Sequence, residues 1–83
     1  MQVRVILFAG AAQAAGGVRE CAMGCDQETL SVGALVDAIG MQFKGLESIL
    51  PNCAVAVNRQ YAGRETILRD GDEVAVIPPV SGG

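Results

Sequence analysis

Eighty-three residues, 51% hydrophobic and 18% charged, make one small globular domain with space for a single core but not for an enclosed active site of several catalytic groups. A net charge of −3, with six scattered basic residues, excludes the basic patch that nucleic-acid binding draws on. Histidine is absent and Lys44 is the only lysine, so the side chains most used for self-contained acid–base catalysis are missing.

The chain opens directly into a strand pattern at Met1-Gln2-Val3-Arg4, and no apolar run reaches the length of a membrane span; a cytosolic protein is expected. Cys21, Cys25 and Cys53 are odd in number, which argues against a disulfide framework, and Cys21-x-x-x-Cys25 lacks the His or further Cys that a zinc set requires. No metal site is expected.

Val3 to Phe8 reads as a strand with Val3, Val5 and Leu7 on one face and Arg4, Ile6 and Phe8 on the other. Arg4 marks its own face as the solvent side. Ala9 to Gly17, rich in Ala and Gly, has room for one or two loose helical turns. Val18 to Met23 is a candidate second strand pairing with the first, followed by a turn at Gly24 to Glu28. Ser31 has the character of a helix N-cap, with Leu30 and Leu35 as a hydrophobic staple. Val32, Val36, Leu35, Ile39 and Phe43 then form an apolar stripe, which predicts a core-facing helix over Val32 to Gln42. Gly40 weakens that helix by about 1 kcal/mol relative to Ala and favours an early stop.

Gly45 to Leu50 reads as a short connector with one 3₁₀ turn, closed by Pro51-Asn52. Cys53 to Val57 and Gln60 to Ala62 predict two short strands around a tight turn at Asn58-Arg59. Asp70-Gly71-Asp72 is a turn leading into a last strand, Glu73 to Ile77, with Val74 and Val76 inward and Glu73, Ala75 and Ile77 outward. This order predicts a single α+β domain over residues 1–83: a mixed sheet of about four to five strands with one main helix packed across it, the β-grasp arrangement, first and last strands parallel and adjacent. Residues 78–83 are expected to be a flexible C-terminal tail.

Pro78-Pro79 stops the last strand, because proline lacks the N–H a ladder needs, and Gly82-Gly83 has no side chains to obstruct a narrow channel. The Gly83 carboxylate is an anion at neutral pH and a poor electrophile until a partner activates it, for which acyl-adenylate formation is suited. Ordering four to six tail residues costs about 1–2 kcal/mol each. A carrier therefore needs a docking patch beside its tail, and Phe8, Tyr61 and Ile77, at about 1.5–3 kcal/mol each when buried, are the candidates.

Over nearly its whole length the sequence resembles the small, sulfur-carrying subunit family of molybdopterin synthase, ubiquitin-like β-grasp proteins. The resemblance is carried by Val5-Ile6-Leu7-Phe8-Ala9, Ser31-Val32-Gly33-Ala34-Leu35, Ala56-Val57-Asn58 and, most specifically, Leu68-Arg69-Asp70-Gly71-Asp72-Glu73-Val74-Ala75 running on through Ile77-Pro78-Pro79-Val80-Ser81-Gly82-Gly83. The family often has Arg-Glu where Ala12-Gln13 stands here. The resemblance implies that a ubiquitin-activating-type adenylyltransferase, using ATP, adenylates Gly83 and that a sulfur-donor enzyme converts it to a thiocarboxylate. Ser81 and Gly82 would thread the channel of the large synthase subunit, where sulfur passes to cyclic pyranopterin monophosphate, in a dimer or heterotetramer. No cofactor bound by the chain itself is implied. The alternatives are a sulfur carrier for thiamine or cysteine synthesis, a ubiquitin-like modifier of lysines and a plain interaction domain.

Overall fold

Burial along the first strand alternates residue by residue, and that alternation builds the sheet. In β1 (Gln2–Leu7), Val3, Val5 and Leu7 are buried while Gln2 and Arg4 are exposed and Ile6 is half-buried. The computed structural model describes residues 1–79. After β1 come α1 (Ala9–Ala14), β2 (Glu20–Gly24), β3 (Leu30–Ser31) and α2 (Val32–Gln42). Two 3₁₀ turns follow, Lys44–Leu46 and Leu50–Asn52, and then β4 (Ala54–Val57), β5 (Gln60–Ala62), β6 (Ile67–Leu68) and β7 (Glu73–Ile77).

Five strands form one mixed sheet in the order β2-β1-β7-β4-β5, and β3 pairs with β6 in a separate two-residue ribbon. The first and last long strands are neighbours and parallel, from Arg4 opposite Glu73 to Leu7 opposite Val76; the other pairs in the sheet are antiparallel. One helix, α2, covers the inner face, so the architecture is the expected β-grasp.

Why α2 begins where it does is visible at Ser31, whose hydroxyl accepts a 3.1 Å hydrogen bond from the Ala34 amide. Such a cap supplies about 1 kcal/mol. Val32, Leu35, Val36 and Ile39 are buried against Val3, Val5, Leu7, Val74 and Val76 of the sheet, and Phe43 packs half-buried on the edge of this core. The expected early stop at Gly40 does not occur, since the helix continues to Gln42. Gly40 is there for packing: a Cβ would stand 3.3 Å from Leu50 Cδ1, and Leu50 is buried in the second 3₁₀ turn.

The Ala- and Gly-rich stretch after β1 forms α1, whose Ala11 and Ala12 are buried, and the connector after α2 contains two 3₁₀ turns where one was expected. The second strand is displaced toward the C-terminus of its expected span, at Glu20–Gly24. Among the described residues no helix is long and apolar enough to cross a membrane. Nor does any group of three or more His, Cys, Asp or Glu stand together as a metal site.

Candidate functional site

The last strand is held at its start from both sides. Gly71, with φ +86°, makes the turn, and its amide bonds to the Gln2 carbonyl at 2.8 Å. Asp70 Oδ1 accepts from the Gln2 amide, Asp72 Oδ2 accepts from the Arg69 amide, and the Arg4 amide bonds to the Asp72 carbonyl at 2.9 Å. From the other side Asn58 closes on the same place: its carbonyl oxygen accepts from the Glu73 amide, its amide nitrogen donates to Asp72 Oδ1, and its backbone N–H donates to the Glu73 carbonyl at 2.8 Å. Register between β1 and β7 is therefore set before the strand begins.

That register carries through to Phe8, whose amide bonds to the Val76 carbonyl at 3.2 Å. Phe8 and Ile77 thus emerge at the same end of two adjacent parallel strands, as expected from the sequence. Pro78 is half-buried and Pro79 exposed beyond them. Ser81 and Gly82, expected to thread, and Gly83, expected to carry the chemistry, lie outside the described residues, as does Val80.

On the outer face, away from α2, the pairings of Ala56 with Ala75 and with Tyr61 align β7, β4 and β5. Alanines on the two inner strands of this face leave a depression of about 420 Å³ lined by Ile6, Phe8, Ala56, Arg59, Tyr61, Glu73, Ala75 and Ile77. All three expected docking residues line it. Phe8 is 47% and Tyr61 79% exposed, while Ile77 is half-buried. Phe8, Met41, Tyr61 and Ile67 are the exposed large apolar side chains among the described residues, and two of the four meet here. Such clustering, beyond scattered single residues, makes this depression the candidate docking surface.

Within the lining of the depression the charged residues, Glu73 and Arg59, stand at the opposite end from Phe8 and Ile77. Arg4 is paired with Glu73, and that hydrogen bond, with the charges of Glu73 and Glu20, holds the guanidinium protonated still more firmly than usual. Arg59 stands at the rim. It follows Asn58 in a two-residue hairpin loop in which both residues have positive φ, +50° and +72°. This is the type I′ geometry that favours Asn-Gly; a non-glycine residue in the second position costs about 1–2 kcal/mol. Asn58 was legible as a turn residue, whereas nothing in the sequence separated Arg59 from an ordinary surface arginine.

The cysteines stand apart from this face's chemistry. Burial pushes the Cys21 and Cys53 thiols above their ordinary pKa, which keeps them as unreactive thiols at neutral pH. Ala12 is buried against the core and Gln13 is exposed, so the departure from the family's usual Arg-Glu leaves one small core residue and one neutral surface residue.

The model of the ThiS family matches residues 5–83. The molybdopterin synthase sulfur carrier subunit of Chlamydomonas reinhardtii is 33% identical over 91 residues, and the match covers the whole of both chains. Among solved structures, SAMP1 from Haloferax volcanii superposes with a TM-score of 0.89 at 31% identity, over all of both chains. The complex of subunits 1 and 2 of molybdopterin-converting factor from Helicobacter pylori 26695 gives a TM-score of 0.71 at 28% identity, again over all of both chains. With the parallel first and last strands, the capped helix and the clamped turn all in place, the chain belongs to the ThiS family of ubiquitin-like β-grasp proteins and groups within it with the molybdopterin synthase sulfur carrier subunits.

Proposed function

We propose that this chain is the sulfur carrier of a molybdopterin synthase, acting through Gly83. The observation that carries the reading is the β1–β7 register, which sets the strand leading to the C-terminal residues beside the apolar depression. In this reading an adenylyltransferase binds the outer face, and the Gly83 carboxylate attacks the α-phosphate of ATP, releasing pyrophosphate and forming an acyl-adenylate. A donor delivering sulfur at the sulfide level attacks the acyl carbon, and as the C–S bond forms the C–O bond to phosphate breaks, releasing AMP and leaving a thiocarboxylate. The large synthase subunit then takes the same face, Ser81 and Gly82 thread its channel, and the sulfur passes to cyclic pyranopterin monophosphate. The full-length likeness to a named sulfur carrier subunit and to one partner of a two-subunit complex supports this assignment. Free Cys21, Cys25 and Cys53 fit a reducing cytoplasmic setting.

The test is stepwise. Incubation with the adenylyltransferase, ATP and a sulfur donor should raise the intact mass by the exchange of one oxygen for sulfur, and the product should then support molybdopterin formation by the large subunit. A proven thiocarboxylate that supports no synthesis would move the assignment to another sulfur pathway. Phe8→Asp should weaken large-subunit binding by about 1.5–3 kcal/mol, roughly 10- to 100-fold, with an unchanged circular dichroism spectrum. Undiminished binding in a pull-down titration would remove Phe8 from the docking face.

A second reading, conjugation of Gly83 to lysines, is favoured by the close superposition on a neighbour described as small archaeal modifier protein 1, at a TM-score of 0.84 and 29% identity. High-mass conjugates that vanish when Gly83 is deleted would select it.

A further inference from the structure

Arg59 occupies a backbone position that works against its own side chain, at φ +72° in a loop where glycine would be unstrained. Its neighbour Asn58 has a local reason to be there, bonding both Asp72 and Glu73. Arg59 has none: among the described residues its side chain makes no hydrogen bond and no ion pair. What it does is line the outer-face depression with Phe8, Tyr61 and Ile77. Two charged residues line the depression, Glu73 and Arg59; Glu73 is engaged by Arg4, and nearby Asp72 by Asn58 and the Arg69 amide, while Glu20, opposite Ile6 on β2, lies outside this lining. The open charge within the lining is therefore positive, on a chain whose net charge is −3.

We propose that Arg59 selects the partner by pairing with a carboxylate on the same partner segment whose apolar side chain enters the depression between Phe8, Ile77 and Tyr61. The occupant is thus an acidic, apolar protein segment, and this rests on the reading above in taking it to belong to the large synthase subunit. Over the chain as a whole, with its net charge of −3, an acidic segment meets net repulsion, so Arg59 favours both the place and the orientation of docking. Like charges in register are repelled and opposite charges speed encounter, which makes the pairing a matter of specificity and salt dependence.

The experiment compares wild type with Arg59→Gly and Arg59→Glu by thermal melting, and by binding to the purified large subunit and to the adenylyltransferase at low and high salt. Arg59→Gly should raise Tm by about 4 °C or more, as the left-handed residue is relieved, yet bind about tenfold more weakly at low salt with a shallower salt dependence. Arg59→Glu should bind more weakly still. A glycine variant that is stabilised and binds within twofold of wild type would overturn the role of Arg59 while leaving the carrier reading intact. Wild type that binds neither protein would overturn both. Weakening confined to the adenylyltransferase would keep the acidic-segment pairing and refute its assignment to the large subunit.

Discussion

A chain lacking Gly83 is expected to fold as wild type does and to carry no sulfur. Among the described residues the last fully buried side chain is Val76, and β7 ends at Ile77. Melting temperature and circular dichroism should therefore be unchanged. Chemistry should be lost altogether, because deletion moves the reacting carboxylate back by one residue, about 3.3–3.6 Å of chain, and a displacement of about 1 Å already costs about 10²-fold in a positioned reaction. The measurement is intact mass after activation, read beside synthase activity. A truncated chain that still gains sulfur would show that another residue is the carrier atom's home. Because both partners are taken to use the outer face, Phe8→Asp should slow activation as well as synthase docking, but raising the adenylyltransferase concentration should restore the mass shift in Phe8→Asp and not in the truncated chain.

The second large effect is on stability, at Gly45. This residue lies in the first 3₁₀ turn, and a Cβ placed on it would collide with the backbone carbonyl oxygen of Ala14 in α1. Backbone cannot swing aside as a flexible side chain can, and the next residue, Leu46, is fully buried. Gly45→Ala should therefore cost about 1–3 kcal/mol as two segments are forced apart. For a domain of this size the melting temperature should drop by roughly 10 °C. The same exchange at Gly10, in α1 with open space around its Cβ position, should be stabilising by about 0.5–1 kcal/mol. Opposite signs for one chemical change would show that the crowding, and not the loss of glycine, is responsible. Equal melting temperatures for Gly45→Ala and wild type would refute the close approach.

Where a repeating pattern spans several residues, the fold was legible in advance. The alternation of β1 and β7 and the Ser31 cap were readable because burial imposes period two on strands and orphan amides demand an oxygen at a helix start. The Asp70-Gly71-Asp72 turn was readable for its chemistry, and with the order of elements it implied the parallel central pair. What escaped reading depends on contacts between distant segments. The two-residue ribbon of β3 and β6 is too short to show any period, and Gly40 was read by helix propensity although packing against Leu50 decides its place. At the candidate site, Phe8, Tyr61 and Ile77 were found because apolar residues on a solvent face stand out against their neighbours. The depression that unites them was not visible, being made by what Ala56 and Ala75 leave empty. Arg59 was missed for a related reason, since its significance lies in a backbone angle.

The central placement of β7 also orders events during synthesis. Until Glu73–Ile77 exists, β1 with β2 and β4 with β5 are two separate hairpins, and the strand that joins them is missing. The contacts that close the domain link residues 4–7 with residues 73–76, nearly the full length of the chain, so loop closure comes late and the nascent protein exposes Val3, Val5 and Leu7 to solvent or to a chaperone. A chain that ends before Glu73 is expected to leave the sheet open, since the strand that completes the fold is also the one leading to the C-terminal glycines.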